Sequence, residues 1–523
     1  LGEVYKRQGR EGGRREARGA EGERRGGRRV VGARRVRPAF GAARYSASMR
    51  GVHATALEFD DVRDEFKLPH EFPADVEAAA AAAHDRFAAE RRDARDIPFV
   101  TIDPPGSKDL DQAVHVVPTE SGFRLSYAIA DVGAFVALGD PIDEEARKRG
   151  QTMYLPDGST PLHPRVLSED RASLVEGEDR PCALWTIETD ERGVITSGRV
   201  ERAIIRSTAR LDYQTVQQWF DEGRELPEAL TGLKGFGEAR SALAIERGAI
   251  ELSLPAQEIV QLPDGGWTVR NEARTQVDDW NAQCSLATGH VAATIMLRGG
   301  TGILRTLDAA TPDTEAEFRA ACTAIGMPWP EGIAAGAWLA TLLRDDARTL
   351  AVHTAATRLL RGAGYVAFHG ELPPENERSH AGVADLYAHA TAPLRRLADR
   401  FAIECCLAID AGREVDPELA AALPEVAKRM EETNRTASAV EREALSKGEA
   451  LALASRVGEE FEVAVTRGAR DGGKDGNTRP AEVLLLEPSV TASCDGSPQA
   501  GTTIRVRLTE ADPAKRRVRF TAL

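Results

Sequence analysis

The stretch Ile97–Val117, IPFVTIDPPGSKDLDQAVHVV, decides how this chain is read. An apolar run, Phe99 to Ile102, delivers the chain to Asp103. A Pro-Pro-Gly-Ser loop follows, then Asp109 and Asp111, then a second apolar alternation. Pro104 and Pro105 fix φ and push Asp103 out of the α region, so the loop cannot be helix. Gly106 gives the backbone room to bend. Three carboxylates gathered in one turn repel each other unless a cation sits between them. A hard divalent ion such as Mg²⁺, which takes oxygen ligands, meets that need. A solvated turn, the commoner use of Asp in a Pro/Gly loop, meets it as well. A calcium loop does not, because the twelfth residue from Asp103 is Val114 rather than a bidentate Glu.

Working outward, the alternation predicts strands at Phe99–Ile102, Gln112–Val117, Phe123–Ile129 and Leu184–Thr189. Helices are predicted at Pro141–Arg149, Gln214–Glu222, Trp280–Leu297, Thr314–Ile325, Trp338–Leu343 and Pro393–Ala411. This is α+β, with one catalytic-sized domain over residues 96–412 and one or two further helices over 413–456. From residue 457 to 523 the character changes. EEFEVAVTR, AEVLLLEPSVTA and TTIRVRLTEADPAKRRVRFTAL are short alternating strands between Gly/Asp turns, the pattern of a small five-stranded OB-type barrel. Such barrels often bind single-stranded nucleic acid, although Phe461 and Phe520 offer little for stacking.

Upstream, residues 49–95 read as a short helical packing arm with an alanine run at Ala78–Ala83. Residues 1–48 are Arg/Gly-rich, lack apolar periodicity and contain no methionine before Met49. They read as a disordered leader, as upstream translation rather than native protein. A transit peptide is opposed by its five glutamates, and an Arg/Gly RNA-binding tail is the third reading.

The net charge of −14 is uneven: residues 1–50 hold 15 Lys/Arg against 5 Glu, which leaves −24 for the rest. An acidic body argues against broad nonspecific nucleic-acid binding on the outer surface, but not against a basic internal channel. Six cysteines without a CxxC pair suggest a reduced, cytoplasmic chain with neither zinc site nor disulfide framework. No apolar run is long enough for a membrane span.

Several segments, in order, resemble the RNB family, the ribonuclease II and ribonuclease R exoribonucleases. IDPPGSKDLDQAV is similar to that family's signature of Asp, five residues, Asp, one residue, and an Asp pair. YAIADVGAFV (127–136), EEARKRGQTMYLPDGSTPLHPRVLSEDRASL (144–174) and YAHATAPLRRLADR (387–400) resemble its further motifs, and VDDWNAQCS (277–285) a helix start. The resemblance spans about 97 to 523 and implies a catalytic domain of mixed sheet and helices followed by the barrel. It implies hydrolytic, processive 3′→5′ degradation of single-stranded RNA to nucleoside 5′-monophosphates.

Carried onto this chain, the resemblance gives Asp103, Asp109 and Asp111 as ligands of Mg²⁺, with Mn²⁺ as a substitute. Two such ions would clamp the attacking and leaving oxygens of an in-line displacement. The fourth family acid falls on Gln112, whose carbonyl oxygen can still ligate but which removes one negative charge. Arg395 matches an arginine at the scissile phosphate, and Arg396 beside it is expected to bind RNA as well. Tyr154 matches a tyrosine that stacks on the 3′-terminal base; a core tyrosine with a satisfied hydroxyl is the other reading. Glu441 and Arg442 stand where the family contacts the terminal ribose and phosphate; a solvated helix face is the other reading. Ala128 and Ala392 replace family His and Ser, and residues 49–95 leave no room for cold-shock domains. Asp131 is expected to be buried, orienting the metal site or capping a turn. The chain is expected to be a monomer. The competing class is an RNA-binding protein with a weakened RNB domain, favoured by Gln112 and opposed by the three aspartates and Arg395.

Overall fold

The computed structural model describes residues 57–252, 254, 256–262, 266–271, 274–342, 346–470 and 479–523. The Arg/Gly-rich leader therefore lies outside the described residues.

A seven-stranded mixed sheet forms the centre. Its strands run in the order 92–93, 195–206, 179–190, 122–130, 112–119, 100–102 and 209–211. The middle of it is an antiparallel meander. Gln112–Thr119 turns back after two residues into Gly122–Ala130, with Gln112 opposite Ile129 and Thr119 opposite Gly122. Gly122 has φ +152°, and a Cβ there would lie 2.1 Å from the Thr189 carbonyl oxygen on the next strand, so only glycine fits this corner.

Strand Gly122–Ala130 is buried along most of its length because both faces of the sheet are covered. Leu125, Tyr127 and Ile129 point to one core with Trp185, Ile187, Val114 and Val116. Ala128 and Ala130 point to the other with Leu184, Cys182 and Phe99, which Val76 and Ala80 of the N-terminal arm help to close. The period-two alternation thus sorts one strand between two cores.

The first core is filled from the far side by helix Gln276–Gly299. Thr275 and Asp278 form a capping box at its start. Its 24 residues give a length of about 36 Å. It is buried nearly all round, which matches its lack of a polar face. Helix Leu397–Asp410 lies beside it and contributes Phe401, Ala402 and Cys405 to the same core.

Residues 57–95 differ from a continuous helical arm. Short helices occupy Asp60–Glu65 and Ala74–Ala82, after which the chain straightens and Arg92–Asp93 pairs parallel with Ala203–Ile204. The arginines of 86–95 take partners in the arm, on the sheet and just beyond its strands. Arg91 binds Asp85 and Asp131, Arg95 binds Asp179, and Arg86 donates to the Gly133 carbonyl. No barrel precedes the sheet among the described residues.

Pro417–Leu453 is one helix of 37 residues, with Asp416 as its N-cap and proline at its first turn. It joins sheet domain and barrel. Val440 and Ala444 pack on Met153 and Leu155, while Ala450 and Leu453 pack on Phe461 and Val463. The last 64 residues contain a closed five-stranded barrel. Its strands are Glu460–Arg467, Ala481–Leu485, Val490–Asp495, Thr503–Asp512 and Arg517–Ala522. Phe461 and Phe520 meet edge to face inside it, ring centroids 5.9 Å apart, so both aromatics serve its core. Among the described residues no helix is long and apolar enough to cross a membrane.

Candidate active site

The loop of Asp103 to Asp111 leaves strand Val100–Ile102 at one edge of the meander and re-enters at Gln112. Backbone contacts fix both ends. Asp103 N donates to the Leu211 carbonyl at 3.1 Å, and Ala130 N donates to the Asp111 carbonyl at 2.9 Å. Between them Pro104 accepts from Ser107 N at 3.2 Å, a turn that Gly106 closes with φ +87°. Ser173 holds the far limb: its hydroxyl accepts from Leu110 N at 2.9 Å and donates to the Lys108 carbonyl at 2.7 Å. Asp103 and Asp111 are buried, and Asp109 is half-buried.

The second component comes from Tyr387 to Arg396, almost 300 residues later. Glycine sets its approach. Gly289 of the central helix accepts from Ala388 N at 3.1 Å, and a Cβ on Gly289 would lie 2.3 Å from the Tyr387 ring. His389 is fully enclosed, its Nδ1 2.7 Å from the Tyr365 hydroxyl, and burial holds it neutral, well below the usual imidazole range. The segment then turns sharply. The Asp399 carboxylate accepts from Thr391 N at 2.9 Å and Ala392 N at 2.7 Å, and both its oxygens receive the Arg396 fork at 2.7 and 2.8 Å. These bonds take Pro393–Arg396 out of the expected Pro393–Ala411 helix, which begins only at Leu397.

The turn delivers Leu394 and Arg395 to the aspartate loop. Leu394 N donates to Asp111 Oδ1 at 2.8 Å, and Arg395 Nε stands 3.3 Å from Asp111 Oδ2. Asp111 is completely buried, so both contacts act where water screens little. Arg396, by contrast, lays its Nε and Nη2 edge on Asp399, a buried charge-assisted pair that shapes the turn.

The third component is hairpin Met153–Leu155/Gly158–Thr160. Thr152 N donates to the Arg395 carbonyl at 2.9 Å, and Leu397 N to the Gly150 carbonyl at 2.9 Å, so the hairpin is laced to the turn. Tyr154 is half-buried, and its hydroxyl donates to Asp109 Oδ2 at 2.9 Å. Arg63 grips Asp157 at the hairpin tip through two bonds of 2.6 and 2.8 Å, tying it to the N-terminal arm.

Gln112 closes the arrangement. Its Oε1 accepts from the Tyr127 hydroxyl at 2.6 Å, and its Nε2 donates to the Thr391 carbonyl at 2.7 Å. Tyr127 lies 3.0 Å from Ser285 Oγ on the central helix. One amide thus links sheet, helix and turn. Asp399, Ser173 and Tyr127 were not singled out from the sequence, although each sits inside a quoted motif; Asp399 lies three residues after Arg396, a spacing that pairs opposite charges on a helix.

Glu441 and Arg442 lie on helix Pro417–Leu453, Glu441 half-buried and Arg442 exposed 3.9 Å from Glu443. Asp131 belongs elsewhere. It is buried between Arg91 at 2.8 Å and Arg202, which also forks onto Glu404 at 2.7 and 2.8 Å. It makes no side-chain cap on the short helical turn that follows. Ala128 is fully buried in the second core.

Among the described residues, no three His, Cys, Asp or Glu side chains form a group placed to hold a metal ion. The donor chemistry nevertheless suits Mg²⁺: the acids are all hard oxygens, and Mg²⁺ is typically held by one or two carboxylates with water and substrate phosphate completing its shell.

The arrangement combines a carboxylate loop, a buried arginine turn and a tyrosine hairpin on an RNB-like sheet, with a barrel behind. Residues 91–403 match the RNB domain, and residues 459–523 match the RNase II-type exonuclease C-terminal S1 domain. The chain belongs to the RNB family. It is 37% identical to ribonuclease R of Acidithiobacillus ferrooxidans over 171 residues, which is 32% of this chain and 39% of that protein. It is 28% identical to ribonuclease R of Escherichia coli over 365 residues, 66% of this chain and 44% of that protein. The matches thus span less than half the length of these relatives. The fold resembles that of Mycoplasma genitalium RNase R, with a TM-score of 0.75 at 21% identity, covering 89% of this chain and 77% of that one.

Proposed function

We propose that this chain is a hydrolytic 3′→5′ exoribonuclease that takes single-stranded RNA and releases nucleoside 5′-monophosphates processively. The observation that carries the reading is the contact of Asp111 with Leu394 and Arg395, 283 residues apart along the chain for the Leu394 bond. Burial of Asp111 against the arginine turn sets this loop apart from a solvated turn.

Asp103, Asp109 and Asp111 are the residues that would hold Mg²⁺ or Mn²⁺, with Gln112 beside them. When bound, two such ions supply charge neutralisation and water activation at the phosphodiester. The chain's own groups do the rest. Arg395 neutralises the non-bridging oxygens of the scissile phosphate, and Asp111 holds its guanidinium in place until the phosphate arrives. The Tyr154 ring stacks on the 3′-terminal base while its hydroxyl steadies Asp109. Glu441 accepts from a ribose 2′-hydroxyl and Arg442 meets a phosphate. Arg396 acts through Asp399, keeping the turn in shape for Arg395.

The products test this directly. Single-stranded RNA incubated with the full chain and Mg²⁺ should yield nucleoside 5′-monophosphates on chromatography. EDTA should stop the release and added Mg²⁺ restore it. RNA bound but intact under all these conditions would replace the exonuclease with a non-cleaving RNA-binding protein.

A further inference from the structure

Helices Pro312–Ile325 and Ala347–Ala356 face the barrel across a cavity of about 370 Å³. Gly501 makes the approach close, since a Cβ there would lie 2.6 Å from Ile325. Its lining mixes Ala321, Ala355 and Pro498 with Arg358, Arg467 and Arg470. None of these belongs to the aspartate loop, the arginine turn or the tyrosine hairpin.

Three arginines around one cavity repel one another. Burial lowers the Arg358 pKa, and the like charges of Arg470, Arg361 and Arg467 add to that. Of the carboxylates nearby, Glu317 is weakly committed, while Glu482 also accepts from Thr466 Oγ1 at 3.1 Å. Glu317, 3.3 Å from Arg358, is 72% exposed, and Glu482, 3.3 Å from Arg467, is 30% exposed. Ion pairs that open to water contribute little, so these guanidiniums can turn to an anion at small cost. Planar guanidiniums match the oxygens of a phosphate. The volume is in the range of small-ligand sites, which favour domain interfaces.

We propose that this interdomain cavity binds a phosphate-bearing ligand of nucleotide size, its apolar lining residues taking the base or sugar and Arg358, Arg467 and Arg470 taking the phosphate. The nucleotide is either free or a single unit of an RNA strand. Binding here holds the barrel against the two helices, so it is read without any cleavage.

Calorimetric titration of the full chain with AMP in EDTA tests it. AMP should bind, and adenosine and inorganic phosphate should each bind far more weakly. Arg467→Gln with Arg470→Gln should weaken AMP about tenfold or more, with thermal unfolding unchanged. Arg470→Gln alone should give a smaller loss in the same direction. The AMP binding that the double variant loses should be the same in size in the Arg395→Gln background, which separates this cavity from the aspartate site. An RNA oligonucleotide that displaces AMP would identify the strand as the source; failure to displace it would identify the free nucleotide. The proposal is overturned if AMP does not bind at millimolar concentration, if the double variant binds as tightly as wild type, or if phosphate alone matches AMP.

Discussion

At the residue scale the central object is Asp111. It is sealed from water, and it joins the aspartate loop to the arginine turn through Leu394 N and Arg395. Asp111→Asn keeps the shape but halves the means of holding a cation, and should lower the cleavage rate by more than about 10²-fold while RNA binding persists. Gln112 makes a second, two-sided prediction. An aspartate there would add the charge the family pattern has, and cleavage at low Mg²⁺ should hold or rise. It would also lose the N–H that the Thr391 carbonyl accepts, at a cost of about 1–3 kcal/mol in unfolding free energy. Cleavage and denaturant melts of Gln112→Asp read the two separately. A large fall in activity at saturating Mg²⁺ would remove Gln112 from the metal site.

At the element scale, the sequence showed what alternation and composition can show. The meander strands, the helices at 141–149 and 276–299 and the five-stranded barrel follow from periodicity, and the order of motifs pointed to the aspartates, Tyr154 and Arg395. What stayed hidden depends on contacts made at a distance. Strands of two or three residues, such as Arg92–Asp93 and Ala209–Leu211, are too short to carry a period and exist only because a neighbour pairs with them. The arginines of 86–95 suit a helix locally, but Asp85, Asp131 and Asp179 claim them. Pro393–Arg396 suits a helix start, but Asp399 bends it into a turn. That turn is therefore fragile in a specific way. Asp399→Ala leaves Arg396 buried without its partner and should cost about 3–5 kcal/mol in denaturant unfolding. Arg396→Lys, which keeps the charge but not the fork, should lose less stability but still impair cleavage, because Arg395 is held by the same turn. A neutral effect of Asp399→Ala on stability would contradict this role.

At the scale of the whole molecule, the long helix Pro417–Leu453 decides how barrel and sheet domain meet. Near its end Glu449 is buried between them, accepting from Thr491 N of the barrel at 2.7 Å and Gln257 Nε2 at 2.8 Å. Burial pushes its carboxyl up to about 7 from 4.5. The unfolded chain then releases this proton at lower pH than the folded one. The stabilising contribution is complete below the unfolded value and is lost as the pH rises from about 4.5 to 7, roughly 3 kcal/mol in all. Glu449→Gln keeps an acceptor oxygen without the charge, so its stability should lack this slope and match or exceed wild type above pH 7. Unfolding free energies across that range, measured for both chains, check the sign; identical slopes would locate the pH dependence elsewhere. On the other side of the barrel, Arg516 binds Asp61 at 2.9 Å and Glu443 at 3.3 Å, so the N-terminal arm, long helix and barrel share one ionic junction.

In the proposed function the buried contact between the aspartate loop and the arginine turn serves cleavage of RNA from its 3′ end. A 5′-labelled single-stranded RNA, incubated with Mg²⁺ and either wild type or Asp111→Asn, tests it most directly when binding is measured on the same samples. Wild type should give a ladder that shortens from the 3′ end, and the variant full-length RNA, still bound. An uncut RNA with wild type, or equal ladders from both proteins, would contradict it.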